Sequence, residues 1–293
     1  MRLCAAVAVI ILSIILAYRP IAAGADGVVF VGAFTWDPAD PEMGGLSAIL
    51  MRDAGAHAFA LSDRAVLFEL ALMRSSGQIT AVEKQGVTVL VDDTESDDAV
   101  FDSEGLAFGP DNAIYVSFEQ DNLIARYDNV TGQKDGVETP HSFRDLGENK
   151  GLEALAIDAN GDLFTLPERP RTLGQGFAVW HWDGTNWTQP FHLGARDGFL
   201  AVSAEFGPDG RFYLLERKVT IFGFQSRIRR WEVTSQRPEN ELVLLTTRPG
   251  QFANLEGLSV WENPTGNTML TMVSDDNFWP FMRTQIVEYA LTE

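Results

Sequence analysis

The chain has 293 residues, 45% of them hydrophobic and 11% aromatic, which is enough for a core without disulfide staples; its one cysteine is Cys4. Asp and Glu number 41 against 22 Lys and Arg, a formal net charge of −19. That excess repels phosphate backbones and excludes a nucleic-acid binder, while it suits an exported protein or one that holds cations.

At the N-terminus, Arg2 precedes an uncharged apolar run from Leu3 to Ala17, followed by the small residues Ala22-Ala23-Gly24-Ala25. This order predicts a secretory signal peptide over residues 1–25 and a single domain over 26–293, periplasmic or secreted. The run is short for a bilayer span, which takes about 20 residues, so no membrane contact is expected after cleavage. Cys4 leaves with the signal.

Beyond it, Val28–Phe34 reads as a strand, and then a pattern recurs. The copies are GGLSAILMRDAGAHAFALSDR (44–64), SEGLAFGPDNAIYVSFEQ (103–120), GLEALAIDANGDLFTLPER (151–169), LAVSAEFGPDGRFYLLER (200–217) and NLEGLSVWENPTGNTMLTMVSDD (254–276). A spacing of about 50 residues falls in the propeller range. Each copy holds two strands joined by a turn built on Pro110-Asp111-Asn112, Asn160-Gly161, Pro208-Asp209-Gly210 or Pro264-Thr265-Gly266, where Asn and Gly tolerate positive φ. Two further strand-like runs follow, such as Phe177–Trp182, Arg227–Val233 and Leu242–Thr246. The reading is all-β: a β-propeller of five blades, each with four antiparallel strands. Six blades is the runner-up, if the stretch between Leu46 and Glu104 hides a degenerate one. The last copy has room for three strands, ending at Gln285–Leu291, so the N-terminal strand is expected to supply the fourth and close the ring.

This architecture brings repeated acids together. Glu104, Glu153 and Glu256 start the inner strand of their copies, with Leu46 and Val202 at that position in the other two. Asp63, Glu119, Glu168, Glu216 and Asp275 end the second strand on the same side. All eight are expected to converge at one end of the channel as metal ligands. Like charges in a narrow channel need protons, arginines or a cation between them. Arg64, Arg169 and Arg217 directly follow three of the closing acids, so inter-blade salt bridges are one reading. A hard cation is the other, and calcium suits an irregular all-oxygen set. Glu104, Glu153 and Glu256 have no basic neighbour in sequence and are the first choice of ligand. Asp275-Asp276-Asn277 is a second oxygen-rich cluster.

The ordered motifs GGLSA…FALSDR, SEGLAFGPD…IYVSFE, GLEALAID, PDGRFYLLER and NLEGL…VSDDNF resemble the phytase-like domain family of bacterial exported proteins, described by an esterase-like activity of phytase. The resemblance runs from about Gly44 to Glu288 and implies a β-propeller that hydrolyses esters or phosphoesters. Lactonase and strictosidine-synthase-like propellers share the looser EGLA…G-x-L-Y-V pattern, so a lactonase-like activity is an alternative. In a hydrolase, Glu104, Glu153 and Glu256 would serve the chemistry, while Arg169 and Arg217 would hold a small anionic ester or phosphoester. A non-catalytic propeller that binds a ligand or protein on its acidic face is the reading from another class.

Other chemistries find no motif. G-x-S-x-G, H-E-x-x-H, Walker and dinucleotide glycine patterns are absent, and His57, His141, His181 and His192 lack ligand spacing. The run DDTESDDAVFDSE (92–104) reads as a solvated loop between blades, with an extra calcium loop as the alternative, and Trp180, Trp182 and Trp187 as packing between blades, with a sugar- or ring-stacking surface as the alternative. Asn129-Val-Thr and Asn186-Trp-Thr match glycosylation acceptors.

Overall fold

The computed structural model describes residues 23–24, 27–36, 43–90, 102–119, 122–128, 134–137, 139–140, 143, 151–172, 174–233, 237–279 and 281–292. The N-terminal apolar run, most of the acidic run at 92–104, His141 and the Asn129 acceptor lie outside these residues.

Five antiparallel sheets form a five-bladed β-propeller. Blade 1 comprises β3 (Leu46–Arg52), β4 (His57–Ser62), β5 (Val66–Ser75) and β6 (Gln78–Val89). Blade 2 comprises β7 (Ser103–Phe108), β8 (Ile114–Phe118), β9 (Leu123–Tyr127) and β10 (Lys134–Val137). In blade 3 come β11 (Leu152–Ile157), β12 (Leu163–Pro167), β13 (Phe177–Trp182) and β14 (Trp187–Leu193), and in blade 4 β15 (Leu200–Phe206), β16 (Phe212–Thr220), β17 (Gly223–Val233) and β18 (Pro238–Thr246). Blade 5 has β19 (Asn254–Glu262), β20 (Thr268–Asp275) and β21 (Thr284–Leu291), and takes its outer strand from β2 (Val28–Trp36), whose Val28 pairs with Leu291 and Trp36 with Thr284. The N-terminal strand closes the ring, as its sequence position predicts. A two-residue strand β1 (Ala23–Gly24) adds to the edge of blade 4 by pairing with Thr246 and Leu245.

Among the described residues between Leu46 and Glu104 there is one blade and no sixth, and its β5 and β6 are long, running 10 and 12 residues around the Ser76-Gly77 turn. The inner hairpins turn where the sequence supplies positive φ: Asn112 at 62°, Gly161 at 92°, Gly210 at 72° and Gly266 at 85°.

The ring is held by apolar clusters between blades, one at each junction. Blades 1 and 2 share Leu61, Leu67, Leu106 and Ile114. Blades 2 and 3 share Ile124, Leu155 and Trp180, with the Phe143 ring edge-on to Trp180 at 5.2 Å. Phe164, Leu166, Ala201 and Phe212 join blades 3 and 4; Leu215, Ile228, Leu258 and Leu270 join blades 4 and 5. Ile49, Phe68, Val273 and Ile286 join the last blade to the first. Alternation along each strand sends side chains to the two neighbours in turn, so each blade contributes to two clusters.

If β2 completes the ring, a chain truncated through Trp36 leaves β21 with an unpaired edge. Gel filtration should then show aggregates, and denaturant unfolding should lose its single cooperative transition; an intact monomer would contradict the closure.

Candidate functional site

Every inner strand breaks register once, at the same level. The ladder skips between Leu46 and Ala48, Ser103 and Leu106, Leu152 and Ala154, Ala201 and Ser203, and Leu255 and Gly257. A β-bulge gives a strand one residue too many and re-aims its side chain. The residues at these bulges are Ser47, Glu104 with Gly105, Glu153, Val202 and Glu256. Three of five are the glutamates expected to start the inner strand, which explains how they reach the axis. In blade 1 the equivalent residue is Ser47 rather than Leu46, which the ladder places one position earlier, opposite Ser62. Gly105 has no room for a side chain, since a Cβ there would lie 2.6 Å from Leu155 Cβ and from Ser117 Oγ.

The second strands end beside the bulges. Asp63, Glu119, Glu168 and Asp275 all line the same cavity of about 310 Å³, together with Asp102, Glu104, Glu153, Glu256, Arg169 and Arg217. In blade 4 the ladder corrects the expectation for Glu216. Glu216 pairs with Ala201, as Ser62 pairs with Leu46 and Ser274 with Leu255, so the closing position belongs to Arg217. Glu216 instead points into the blade, fully buried, where it accepts hydrogen bonds from Arg227 Nε (2.6 Å) and from Arg229 Nη2 (2.6 Å) and Nε (2.7 Å). It is not part of the channel group.

That one-residue difference puts a cation into the ring. Arg217 donates to Glu168 Oε1 at 3.0 Å, to Asn254 Oδ1 at 3.0 Å and to Glu256, while Asn254 Nδ2 donates to Glu256 Oε1 at 2.9 Å. Arg169 Nε adds a 2.6 Å bond to Glu168 Oε2. The salt-bridge reading therefore holds on the side of blades 3 to 5. Arg64 plays no such part; its guanidinium stacks on Phe278, 3.6 Å from the ring centroid.

The side of blades 1 and 2 differs. Asp63, Asp102, Glu104 and Glu119, together with Glu153 from the adjoining start of blade 3, form no ion pair among the described residues. Asp63 Oδ1 is buried without a hydrogen-bond partner, and Glu153, 8% exposed, makes no hydrogen bond among the described residues. Glu119 accepts one, from Gly151 N at 3.1 Å. Oxygens of Asp102, Glu104 and Glu119 lie within 4.8 Å of one another. That is about twice a Ca²⁺–oxygen distance, so three of them can share one ion. Asp102 carries no repeat signal in the sequence; it precedes β7, and its carbonyl accepts from Glu119 N at 2.8 Å.

Protonation reports the same crowding. Burial, then the charges of Glu153 and Glu256, hold Glu104 well above its ordinary value, and burial with Glu119 does so for Glu153. Burial lifts Asp63 and Glu119 to about 7. Glu256 rises to about 8 through burial, against the pull of Arg217, and burial also raises Asp275.

The other end of the channel widens to a cavity of about 1050 Å³ among the inner-hairpin turns, lined by Phe108, Phe164, Phe206 and Trp261. Its buried polar groups are already engaged: His181 Nε2 with Asp162 at 2.9 Å, and Glu205 with the Val260 N–H. Size favours this end, but unpaired charge favours the acidic one, and charge is what chemistry needs. Of the remaining sequence candidates, His57 pairs with Asp53 at 2.8 Å, Trp180 packs between blades, and Asp276 anchors a loop by accepting from Gly45 N at 2.9 Å.

A family model described as phytase-like, with esterase-like activity of phytase, matches residues 41–278. No curated protein matches the chain in sequence. Among solved structures, the PQQ-bound aldose sugar dehydrogenase of Streptomyces coelicolor is 13% identical, covering 92% of this chain and 99% of that one at a TM-score of 0.47. The virginiamycin B lyase of Staphylococcus aureus is 12% identical over 90% and 99%, with a TM-score of 0.46. A luciferin-regenerating enzyme is 11% identical over 85% and 80%, with a TM-score of 0.47.

Two expectations follow. Carboxyls with folded pKa values raised above an unfolded value near 4 stabilise the fold fully below pH ~4 and lose that contribution as pH rises through about 7 to 8. Melting temperature without divalent cations should therefore fall from pH 5 to pH 8, and Ca²⁺ added at pH 8 should restore it; a flat profile would contradict the crowding. Arg217→Met removes a largely buried counter-ion, so denaturant melts at pH 8 should show a loss of about 3–5 kcal/mol, shrinking at pH 5 as its partners take up protons.

Proposed function

The chain belongs to the phytase-like family, and from that premise we propose that it is an exported hydrolase of esters or phosphoesters working at the acidic mouth of the channel. The observation that carries this reading is the trio Asp102, Glu104 and Glu119, whose oxygens lie within 4.8 Å of one another without a counter-ion among the described residues. The donors are all hard carboxylate oxygens, which fits calcium and not a thiolate- or imidazole-seeking metal. When bound there, the cation supplies Lewis acidity to an ester or phosphoryl oxygen.

The remaining work falls to this chain's own residues. Glu153 lines the same cavity, buried and with no side-chain hydrogen bond among the described residues, and its raised pKa suits it to exchange a proton with an attacking water. Arg169 is half exposed and lines the cavity, with Nε committed to Glu168; its terminal nitrogens make no hydrogen bond among the described residues and are the donors for an anionic substrate oxygen. Arg217 commits Nη1 to Asn254 and Glu256 and Nη2 to Glu168, while its Nε is buried without a partner among the described residues, so its part is to position those carboxylates.

The test is turnover of a panel of model phosphate, carboxyl and lactone esters with Ca²⁺ present and after chelation. Expected are a Ca²⁺-dependent activity, its loss by at least about a hundredfold in Glu104→Gln and Glu153→Gln, and weaker substrate binding in Arg169→Ala with kcat retained. Calcium binding by calorimetry without any turnover across the panel would move the reading to a non-catalytic binding propeller.

A further inference from the structure

The large apolar side chains that are 60% exposed or more among the described residues are Val219, Ile221, Phe222, Trp279 and Phe281, and all five belong to two chain reversals. One is the β16–β17 hairpin tip, the other the β20–β21 connection. Both join the second and third strands of their blades, blades 4 and 5, which are neighbours. The second strand ends at the acidic mouth, so both reversals stand on the face that holds it. β16 runs on past Arg217 as far as Thr220, which carries its tip beyond the ring.

Neither tip is a slack loop. Thr220 Oγ1 donates to Gly223 O at 2.7 Å and accepts from Phe222 N at 3.1 Å, and Gly250 N donates to Phe224 O at 2.8 Å. Gly223 holds φ at +106°, and a Cβ on Gly250 would lie 2.2 Å from Phe222 O, so the hairpin is braced against a backbone that admits no side chain. In the second reversal Asp276 accepts from Phe278 N at 3.0 Å and from Thr284 Oγ1 at 2.9 Å, and Trp279 lies edge-on to Phe281 at 6.1 Å. Fixed turns thus hold apolar side chains out in water, which a monomer in bulk solvent would have no reason to do.

The geometry points to a phospholipid surface as the occupant. The tips are convex, whereas a small apolar ligand needs a concavity that covers it from several sides. Isolated aliphatic and aromatic tips with polar turns behind them suit immersion into a headgroup layer. Charge agrees locally. The segments RKVTIFG (217–223) and NFWPFMR (277–283) contain no acid, and Lys218 and Arg283 flank the tips in a chain that is otherwise strongly negative. The nearest carboxylates, Asp275 and Asp276, accept from the backbone N–H groups of Asn277 and Phe278. That leaves the exposed Arg283 and the half-buried Lys218, whose Nζ also donates to Asp197 O, as the cations within a screening length of roughly 8 Å of a headgroup layer. Docked this way, the acidic mouth faces the lipid. This departs from the expectation of no membrane contact, and it does not depend on the hydrolase reading.

The experiment is co-sedimentation of the chain, as its host produces it, with vesicles of phosphatidylcholine and phosphatidylglycerol, alongside quenching of Trp279 by brominated lipid. Expected are vesicle binding, quenching that Trp279→Phe removes, and a bound fraction reduced by at least about tenfold in Ile221→Ser/Phe222→Ser, the weight of one immersed large apolar side chain. Met73→Ser, at the opposite end of blade 1, should bind as wild type, and matching melting curves would show that the variants fold. Unquenched Trp279, or tip variants that sediment like wild type, would overturn the proposal. So would light scattering that shows a dimer dissolved by the tip variants without any vesicle binding, since the occupant would then be a second copy.

Discussion

A ring of wedges stands only if each wedge offers an apolar face to both neighbours, and everything else in this molecule follows from that demand. Side-chain alternation supplies the two faces. Because both are spent on packing, the polar residues that remain near the axis are those at strand ends and at the bulges. The acids at the mouth are therefore not an ornament on the fold. They occupy the positions that inter-blade packing leaves free, and the bulge repeated in all five inner strands turns three of them inward.

The repeat was legible because a propeller writes its period directly into the chain. The turn residues, the β-branched second strands and the spare N-terminal strand each had a physical signature, and blade number, hairpins and closure could all be read from them. What could not be read was register. A one-residue slip is invisible in a pattern such as LLERK, yet it decides which of Glu216 and Arg217 faces the channel, since neighbours along a strand point to opposite sides. The same slip separates Leu46 from Ser47. Asp102 was missed for another reason: it precedes its strand and belongs to no repeated element, so only the folded chain brings it beside Glu104 and Glu119.

The site owes its asymmetry to Arg217. Arg217, with Arg169 beside it, splits the ring of carboxylates into a salted half, where Glu168 and Glu256 are paired, and a half where Asp63, Asp102, Glu104, Glu119 and Glu153 form no ion pair among the described residues. Had the closing position in blade 4 been acidic like the rest, the whole mouth would have carried unrelieved repulsion. Of the competing sequence readings, salt bridges describe one half, and the other half keeps the clustered carboxylates that the cation reading needs.

The pairing of Val28 with Leu291 fastens the beginning of the fold to its last strand. Each blade can gather from residues close together in the chain, a fast process, but this last contact spans nearly the whole polypeptide. A chain still leaving the ribosome must remain an open crescent with two bare sheet edges until its final strand emerges. During that interval the nascent molecule is at its most vulnerable to pairing with others of its kind.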